Sequence, residues 1–229
     1  MKFGIIAAME EELKTLLMAL QDKEEVIVLG KNYYAGHIGQ HEVVLVQSGI
    51  GKVMSAMSVA ILAETFAVDT IINTGSAGAV AQGLAIGDVV IADCLVYHDV
   101  DVTAFGYAFG QMAGQELYYQ ADRTLMASLQ MVLNQQGIHN HVGLIATGDS
   151  FIAGQEKVDV IKEHFPEVLA VEMEGAAVAQ AAQAAGKPFL VIRAMSDTAQ
   201  GDANITFDEF VVEAGKRSAN TLLTLLTSY

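Results

Sequence analysis

Residues 42–78, EVVLVQSGIGKVMSAMSVAILAETFAVDTIINTGSAG, decide the fold class. The run 42–47 is short and rich in Val and Leu, which fits a buried strand better than a helix. Ser48-Gly49-Ile50-Gly51 interrupts it. Residues 52–66 then continue without Gly or Pro and are rich in Ala, Met and Leu, a helical composition. Thr70-Ile71-Ile72-Asn73 reads as a second strand, ended by Gly75-Ser76-Ala77-Gly78. Strand, helix and strand in that order mark α/β architecture.

The same alternation extends outward. Further strands are predicted at 2–6, 26–29, 33–38, 89–96, 142–146, 168–171 and 189–192, and further helices at 10–20, 122–136, 155–164, 175–185 and 207–227. Gly30-Lys31-Asn32 and Gly39-Gln40-His41 join the runs between 26 and 47 as tight turns. This part therefore reads as antiparallel hairpins, and the sheet as mixed. No linker or internal repeat divides the chain, so residues 1–229 are read as one domain. Residues 99–120 lack periodicity and carry Phe105, Tyr107, Phe109, Tyr118 and Tyr119, which points to a lid or, as we favour, an oligomer contact.

Composition limits the function. The 229 residues are 52% hydrophobic with 21 Gly and 2 Pro, suited to a buried sheet and apolar helices. Twelve basic residues face 27 acidic ones, for a net charge of −15, and the only arginines are Arg123, Arg193 and Arg217. No basic surface can be assembled for nucleic acid or an anionic membrane. Cys94 is alone, which excludes an intrachain disulfide and fits a cytoplasmic protein. Met1–Glu12 lacks the pattern of a signal peptide, and no apolar run reaches the roughly 20 residues a membrane span needs.

Several signatures are absent. Gly49-Ile50-Gly51 has Met54 where a dinucleotide fingerprint requires its third Gly, no P-loop occurs, and Ser76 does not have nucleophile-elbow spacing. His98, Asp99 and Asp101 match no zinc pattern, so they read as a solvated loop edge and no metal is expected. Polar residues instead gather at predicted strand ends, where α/β sheets bind ligands. These are Glu10-Glu11-Glu12, Ser48–Gly51, Gly75–Gly78, Glu172-Met173-Glu174, and Arg193 with Ser196-Asp197. Singly, the acidic residues are explained as helix-dipole partners or N-caps. Together with Met9, Ile50, Phe151 and Met173 they would line one pocket suited to a neutral polyol joined to an aromatic ring, provided the strand ends converge.

Seven segments carry a family resemblance: GIIAAMEEEL (4–13), QSGIGKV (47–53), IINTGSAG (71–78), YHDVDVTAFG (97–106), GDSFI (148–152), AVEMEGA (170–176) and VIRAMSD (191–197), followed by TFDEF (206–210). In combination they are specific, and they span nearly the whole chain. The sequence resembles the 5'-methylthioadenosine/S-adenosylhomocysteine nucleosidases, a branch of the purine nucleoside phosphorylase and uridine phosphorylase superfamily. It departs at Ala7 and Ala79, each in place of a common Gly, and at Ala113, in place of a frequent Pro. The resemblance implies a three-layer α/β/α sandwich around a twisted mixed sheet. It also implies a cytoplasmic homodimer, without cofactor, in which Phe105 of one subunit closes the other's pocket.

By the same resemblance the reaction is hydrolysis of the adenine N-glycosidic bond, with Asp197 the general acid on adenine N7 and Ser196 orienting it. Phe151 would stack on adenine and the backbone of Ile152 would bond its edge. Glu174 would hold the ribose hydroxyls above Met173. Glu12 would activate water, with Arg193 and Ser76 completing its cage. Met9, Ile50 and Phe207, with the partner's Phe105, would form the 5'-alkylthio slot. The alternatives are a phosphate-dependent phosphorylase of the same fold, which would need several Arg to clamp phosphate, and a nucleoside-binding regulator without turnover.

Overall fold

The computed structural model describes residues 1–199 and 203–228, the side chains of 203–209 excepted. In chain order the elements are β1 (Lys2–Ala7), α1 (Glu10–Ala19), β2 (Gln21–Val28), β3 (Lys31–Ile38), β4 (His41–Gln47), α2 (Lys52–Glu64), β5 (Thr70–Ala79), β6 (Val89–Tyr97), β7 (Tyr119–Gln120), α3 (Arg123–Gln135), β8 (Asn140–Thr147), α4 (Gln155–His164), β9 (Ala170–Glu172), α5 (Gly175–Ala184), β10 (Phe189–Asp197) and α6 (Ala203–Ser228).

Successive strand side chains point to opposite faces, and both faces of this sheet are covered. On β1 and β4, Phe3, Ile5, Ala7, Val43 and Leu45 pack with Leu13 and Leu16 of α1, Leu125 and Leu129 of α3, and Leu222 and Leu225 of α6. Their neighbours Ile6, Val44 and Val46 pack on the other side with Val59 and Leu62 of α2 and with Ala176–Ala182 of α5. Three layers result, as expected. Gly4 lies tightly between the layers: a Cβ there would meet Leu62, Val68 and Ile71 at 3.1–3.2 Å and press on their side chains. A smaller cluster around Val96, Leu144 and Ala146 packs with Val158 and Ile161 of α4.

The strand order is β10-β6-β8-β9-β5-β1-β4-β3-β2, and β10 also pairs with β5, so the strands β5, β9, β8, β6 and β10 close into a ring. The pairing is mixed: β1 lies parallel to β4 and β5, and the 26–47 region forms the antiparallel hairpins read from its turns. Closure explains the main departures from the predicted boundaries. β5 continues six residues past Asn73 to Ala79, and β10 five past Ile192 to Asp197, because the ring supplies partners to both. The expected turn at Gly75–Gly78 is therefore strand, and it does not lead into a helix. β2 begins at Gln21, five residues before the apolar run, since it is an edge strand whose Lys23, Glu24 and Glu25 face solvent.

The 99–120 segment also needs correction. Of its five aromatics only Phe105 is exposed, at 81%, on a one-turn 3-10 helix, Thr103–Phe105. Tyr119 is buried on β7 and packs edge-on against Tyr97, while Phe109 stacks on His164 at 3.9 Å. His98 is buried as well, so only its acidic neighbours fit the expected solvated loop edge.

Candidate active site

A cavity of about 350 Å³ opens where β1, β5, β9 and β10 present their carboxyl-terminal halves. Its apolar wall is formed by Met9 after β1, Ile50 before α2, Phe151 and Ile152 after β8, and Val171 and Met173 at β9. Its polar wall carries Glu12, Ser76, Glu172, Glu174, Ser196 and Asp197.

Glu12 sits in the first turn of α1, and its side chain folds back over the helix start. Oε2 accepts the N–H of Ala8 (2.9 Å) and Met9 (3.1 Å), and Oε1 accepts the N–H (2.9 Å) and Oγ–H (3.0 Å) of Ser76. The bond to Met9 caps the helix, so the simple helix-start explanation holds for part of this residue. The bonds to Ser76 do not belong to capping. They draw a 2% exposed carboxylate across β5 to the cavity.

Gly75 makes this crossing possible: a Cβ there would overlap Arg193 Nη1 and lie 2.8 Å from Glu12 Oε1. Arg193 is completely buried beneath the cavity floor. Its Nη2 donates to Glu172 and to Asn73, and lies 3.5 Å from Glu174 Oε2. Burial alone would lower its pKa, but Glu172, Glu174 and Glu12 outweigh burial, so the guanidinium is held charged. Its Nε and Nη1 have no hydrogen-bond partner among the described residues.

Glu174 is the N-cap of α5 and 5% exposed. Oε1 accepts the Gly51 N–H at 2.9 Å, which ties β9 to the turn before α2. Burial, and next the neighbouring Glu172 charge, push its pKa up to about 7, against the opposing pull of Arg193. The sequence places Glu172 among the strand-end polar residues, where singly it reads as a dipole partner, and assigns it no role of its own. Its carboxylate holds the floor together: Oε2 accepts Arg193 Nη2 and the N–H of Glu174 (3.0 Å) and Gly175 (2.7 Å), and Oε1 accepts the Thr147 hydroxyl.

Asp197 ends β10 opposite Gly78, just after a register shift between Met195 and Asp197. It accepts Ser196 Oγ–H (2.9 Å) and the Ala199 N–H (2.8 Å), and Gly78 leaves space where a Cβ would sit 2.9 Å from Oδ1. Burial raises its pKa, and these two hydrogen bonds only partly offset that, so Asp197 holds its proton more readily than an exposed Asp does. Gly75 and Gly78 are three residues apart on one strand, which sets the Glu12–Arg193 end and the Asp197 end of the cavity roughly 10 Å apart.

The fold thus brings together Glu12, Asp197, Ser76, Phe151, Ile152, Met173, Glu174, Ser196, Met9 and Ile50. Arg193 lies behind the wall, not on it. Phe105 does not line this cavity, and the side chain of Phe207 falls outside the described residues. Sequence reasoning placed Glu172 at the pocket without a role, and missed Asn73 and Thr147. The Glu-x-Glu spacing put Glu172 and Glu174 on one side of the chain and was the available signal. Nothing local marks the other two.

Residues 2–227 match the family model described as the phosphorylase superfamily. The chain is 47% identical over 225 residues to the 5'-methylthioadenosine/S-adenosylhomocysteine nucleosidase of Staphylococcus carnosus, covering 98% of this chain and 99% of that one. It superposes on the crystal structure of S-adenosylhomocysteine nucleosidase from Streptococcus pyogenes in complex with 5-methylthiotubericidin with a TM-score of 0.98 at 67% identity, covering 100% of this chain and 97% of that one. The 5'-methylthioadenosine/S-adenosylhomocysteine nucleosidase of S. pneumoniae bound to a transition-state inhibitor gives a TM-score of 0.97 at 66% identity, with 99% of both chains covered. The chain belongs to the 5'-methylthioadenosine/S-adenosylhomocysteine nucleosidase family, within the phosphorylase superfamily.

Proposed function

We propose that the protein hydrolyses the N-glycosidic bond of 5'-methylthioadenosine and S-adenosylhomocysteine, and also of 5'-deoxyadenosine, releasing adenine and the 5-substituted ribose. The observation that carries this reading is the division of one cavity into an end where burial opposes ionisation of Asp197 and an end rich in carboxylates, at Glu12 and Glu174. Glycoside cleavage with an oxocarbenium-like transition state needs that division, because the leaving group must gain a proton while the sugar gains positive charge.

Adenine lies against Phe151, with the backbone of Ile152 at its edge. Asp197, oriented by Ser196, gives its proton to N7 as the bond from the sugar to N9 breaks, so adenine leaves neutral. Glu174 takes the 2'- and 3'-hydroxyls over Met173, and its charge favours the cationic sugar. Water held by Glu12 and Ser76 attacks the anomeric carbon as Glu12 takes its proton, with Arg193 supporting Glu174 from beneath the floor and not completing the water's cage as expected. The 5'-substituent runs toward Met9 and Ile50, with Phe207 and the Phe105 of a second copy closing the slot of a homodimer. The exposure of Phe105 supports that dimer, which leaves Ala113 in the contact segment. No cofactor takes part.

Water is favoured over phosphate as nucleophile because the one arginine at the site is already engaged by Glu172 and Glu174 beside Glu12. A phosphate dianion would meet three carboxylates and no free clamp. Residues 1–229 act as one domain in this reading, in methionine salvage in the cytoplasm. In support, no helix of the described residues is long and apolar enough to cross a membrane. Adenine release from the three nucleosides, with and without phosphate, tests the reading. Phosphate dependence with formation of a ribose 1-phosphate would replace it with a phosphorylase, and binding without turnover would replace it with a regulator.

A further inference from the structure

Asp88, His139 and His141 converge where β6 and β8 begin, and none of them lines the cavity. One ligating atom from each lies within 4.8 Å of the other two, and no other group of His, Cys, Asp or Glu among the described residues meets that spacing. Backbone geometry brings them together. His139 and His141 are two residues apart, so their side chains share a face at the entrance to β8. The parallel register pairs Val90 with His141, and the His139 carbonyl accepts the Val89 N–H at 3.5 Å, which sets Asp88 alongside both. The Asp88 carboxylate is oriented beforehand by the Ala85 N–H on Oδ2 (2.9 Å), as supporting bonds orient metal ligands elsewhere.

His141 Nε2 is buried and has no hydrogen-bond partner among the described residues, yet it lies 3.7 Å from Asp88 Oδ2. That separation is too long for a hydrogen bond and close to the spacing of two ligands on one ion. Neighbouring ligands on a tetrahedral zinc lie about 3.3 Å apart, so side-chain adjustments of roughly an ångström would close the set. His139 is exposed and free to make the largest of them. Two imidazoles and one carboxylate favour a borderline transition cation over magnesium or calcium, and the net charge of −15 attracts cations generally.

We propose that Asp88, His139 and His141 form a site for a divalent transition cation of the zinc or nickel type, separate from the reaction. Bound there, the ion clips the turn before β6 to the connection between α3 and β8. The clip sits beside β10, since the Asp88 carbonyl accepts the Met195 N–H at 2.9 Å and the Gly87 N–H donates to the Met195 carbonyl at 2.8 Å.

Calorimetric titration with zinc chloride tests the site in the wild type, His139→Ala and Asp88→Asn, with thermal melts recorded alongside. One ion per chain should bind the wild type with micromolar affinity and raise its Tm, whereas each variant should bind at least tenfold more weakly. His139→Ala alters an exposed residue and should keep wild-type release of adenine from 5'-methylthioadenosine, showing that it is folded. Equal zinc affinity in the wild type and His139→Ala, or no saturable binding by the wild type, would overturn the proposal.

Discussion

Replacing Glu172 by Gln keeps the shape of the side chain and removes one charge from the cavity floor. The Glu172 carboxylate is 1% exposed and accepts from Arg193, Thr147, Glu174 N–H and Gly175 N–H. An amide keeps one oxygen for the two backbone donors, but its NH₂ must then face the Thr147 hydroxyl or Arg193. Breaking a buried ion pair from one side costs about 3–5 kcal/mol. Glu174, 3.5 Å from Nη2, recovers part of that by turning to Arg193, so a net loss of about 3 kcal/mol is expected. At about 2–4 °C per kcal/mol for a chain of this size, Tm should fall by roughly 6–12 °C. A second readout separates positioning from stability. Burial comes first and the Glu172 charge second in holding Glu174 up to about 7. Without that charge Glu174 ionises at lower pH, and the acid limb of kcat/KM for adenine release should move down with it. Calorimetry and the pH profile together check this. An unchanged Tm with an unmoved acid limb would refute the account of Glu172.

Asp197→Asn should abolish adenine release yet leave a folded protein that binds nucleoside, because the amide still accepts the Ala199 N–H but has no proton of the required acidity; measurable turnover in a steady-state assay would remove Asp197 as the acid. Glu12→Gln should lower the hydrolytic rate about 10²- to 10⁴-fold, the usual contribution of a general base, and parental rates would reject that role. Gly75→Ala should disturb Arg193 and Glu12 together, reducing kcat with little effect on KM, since its Cβ would overlap the Glu12–Arg193 end of the cavity and not the Asp197 end; a change confined to KM would contradict this. Stability should depend on pH through Glu174. Its folded pKa of about 7 exceeds the ordinary glutamate value of 4.5, so the folded state binds more protons between those values, and stability falls as pH rises through that window. Glu174→Gln should remove this slope from denaturant titrations at about pH 5, 6 and 7, and an unchanged slope would exclude Glu174 as its source.

Much of the fold was legible locally. The helices predicted at 10–20, 52–66, 122–136 and 155–164 match α1, α2, α3 and α4 within two residues at either end, because each has helical composition and the last three start after Gly51, Asp122 and Gly154. β2 was half hidden, since its polar residues earn strand geometry from β3 and not from an apolar pattern. β7 was hidden altogether: two residues gain their pairing only when β6 passes beside them. The aromatic segment was only partly legible for a related reason, as composition does not reveal that Phe109 has His164 to stack on while Phe105 has no such neighbour among the described residues.

At the site, residue type and position along the chain were enough to nominate Glu12, Glu174 and Asp197, and the family segments assigned them separate duties. Those are properties a one-dimensional string can carry. Whether these carboxylates share a cavity is decided by strands far apart in sequence, through the closing of β5 on β10 and β9. The same closure buries Arg193 and fastens it to Glu172, turning an expected wall residue into a support beneath the floor. Their protonation was also beyond the sequence, because a carboxyl pKa depends on desolvation and on charges within a few ångströms. Those distances exist only once the ring has closed.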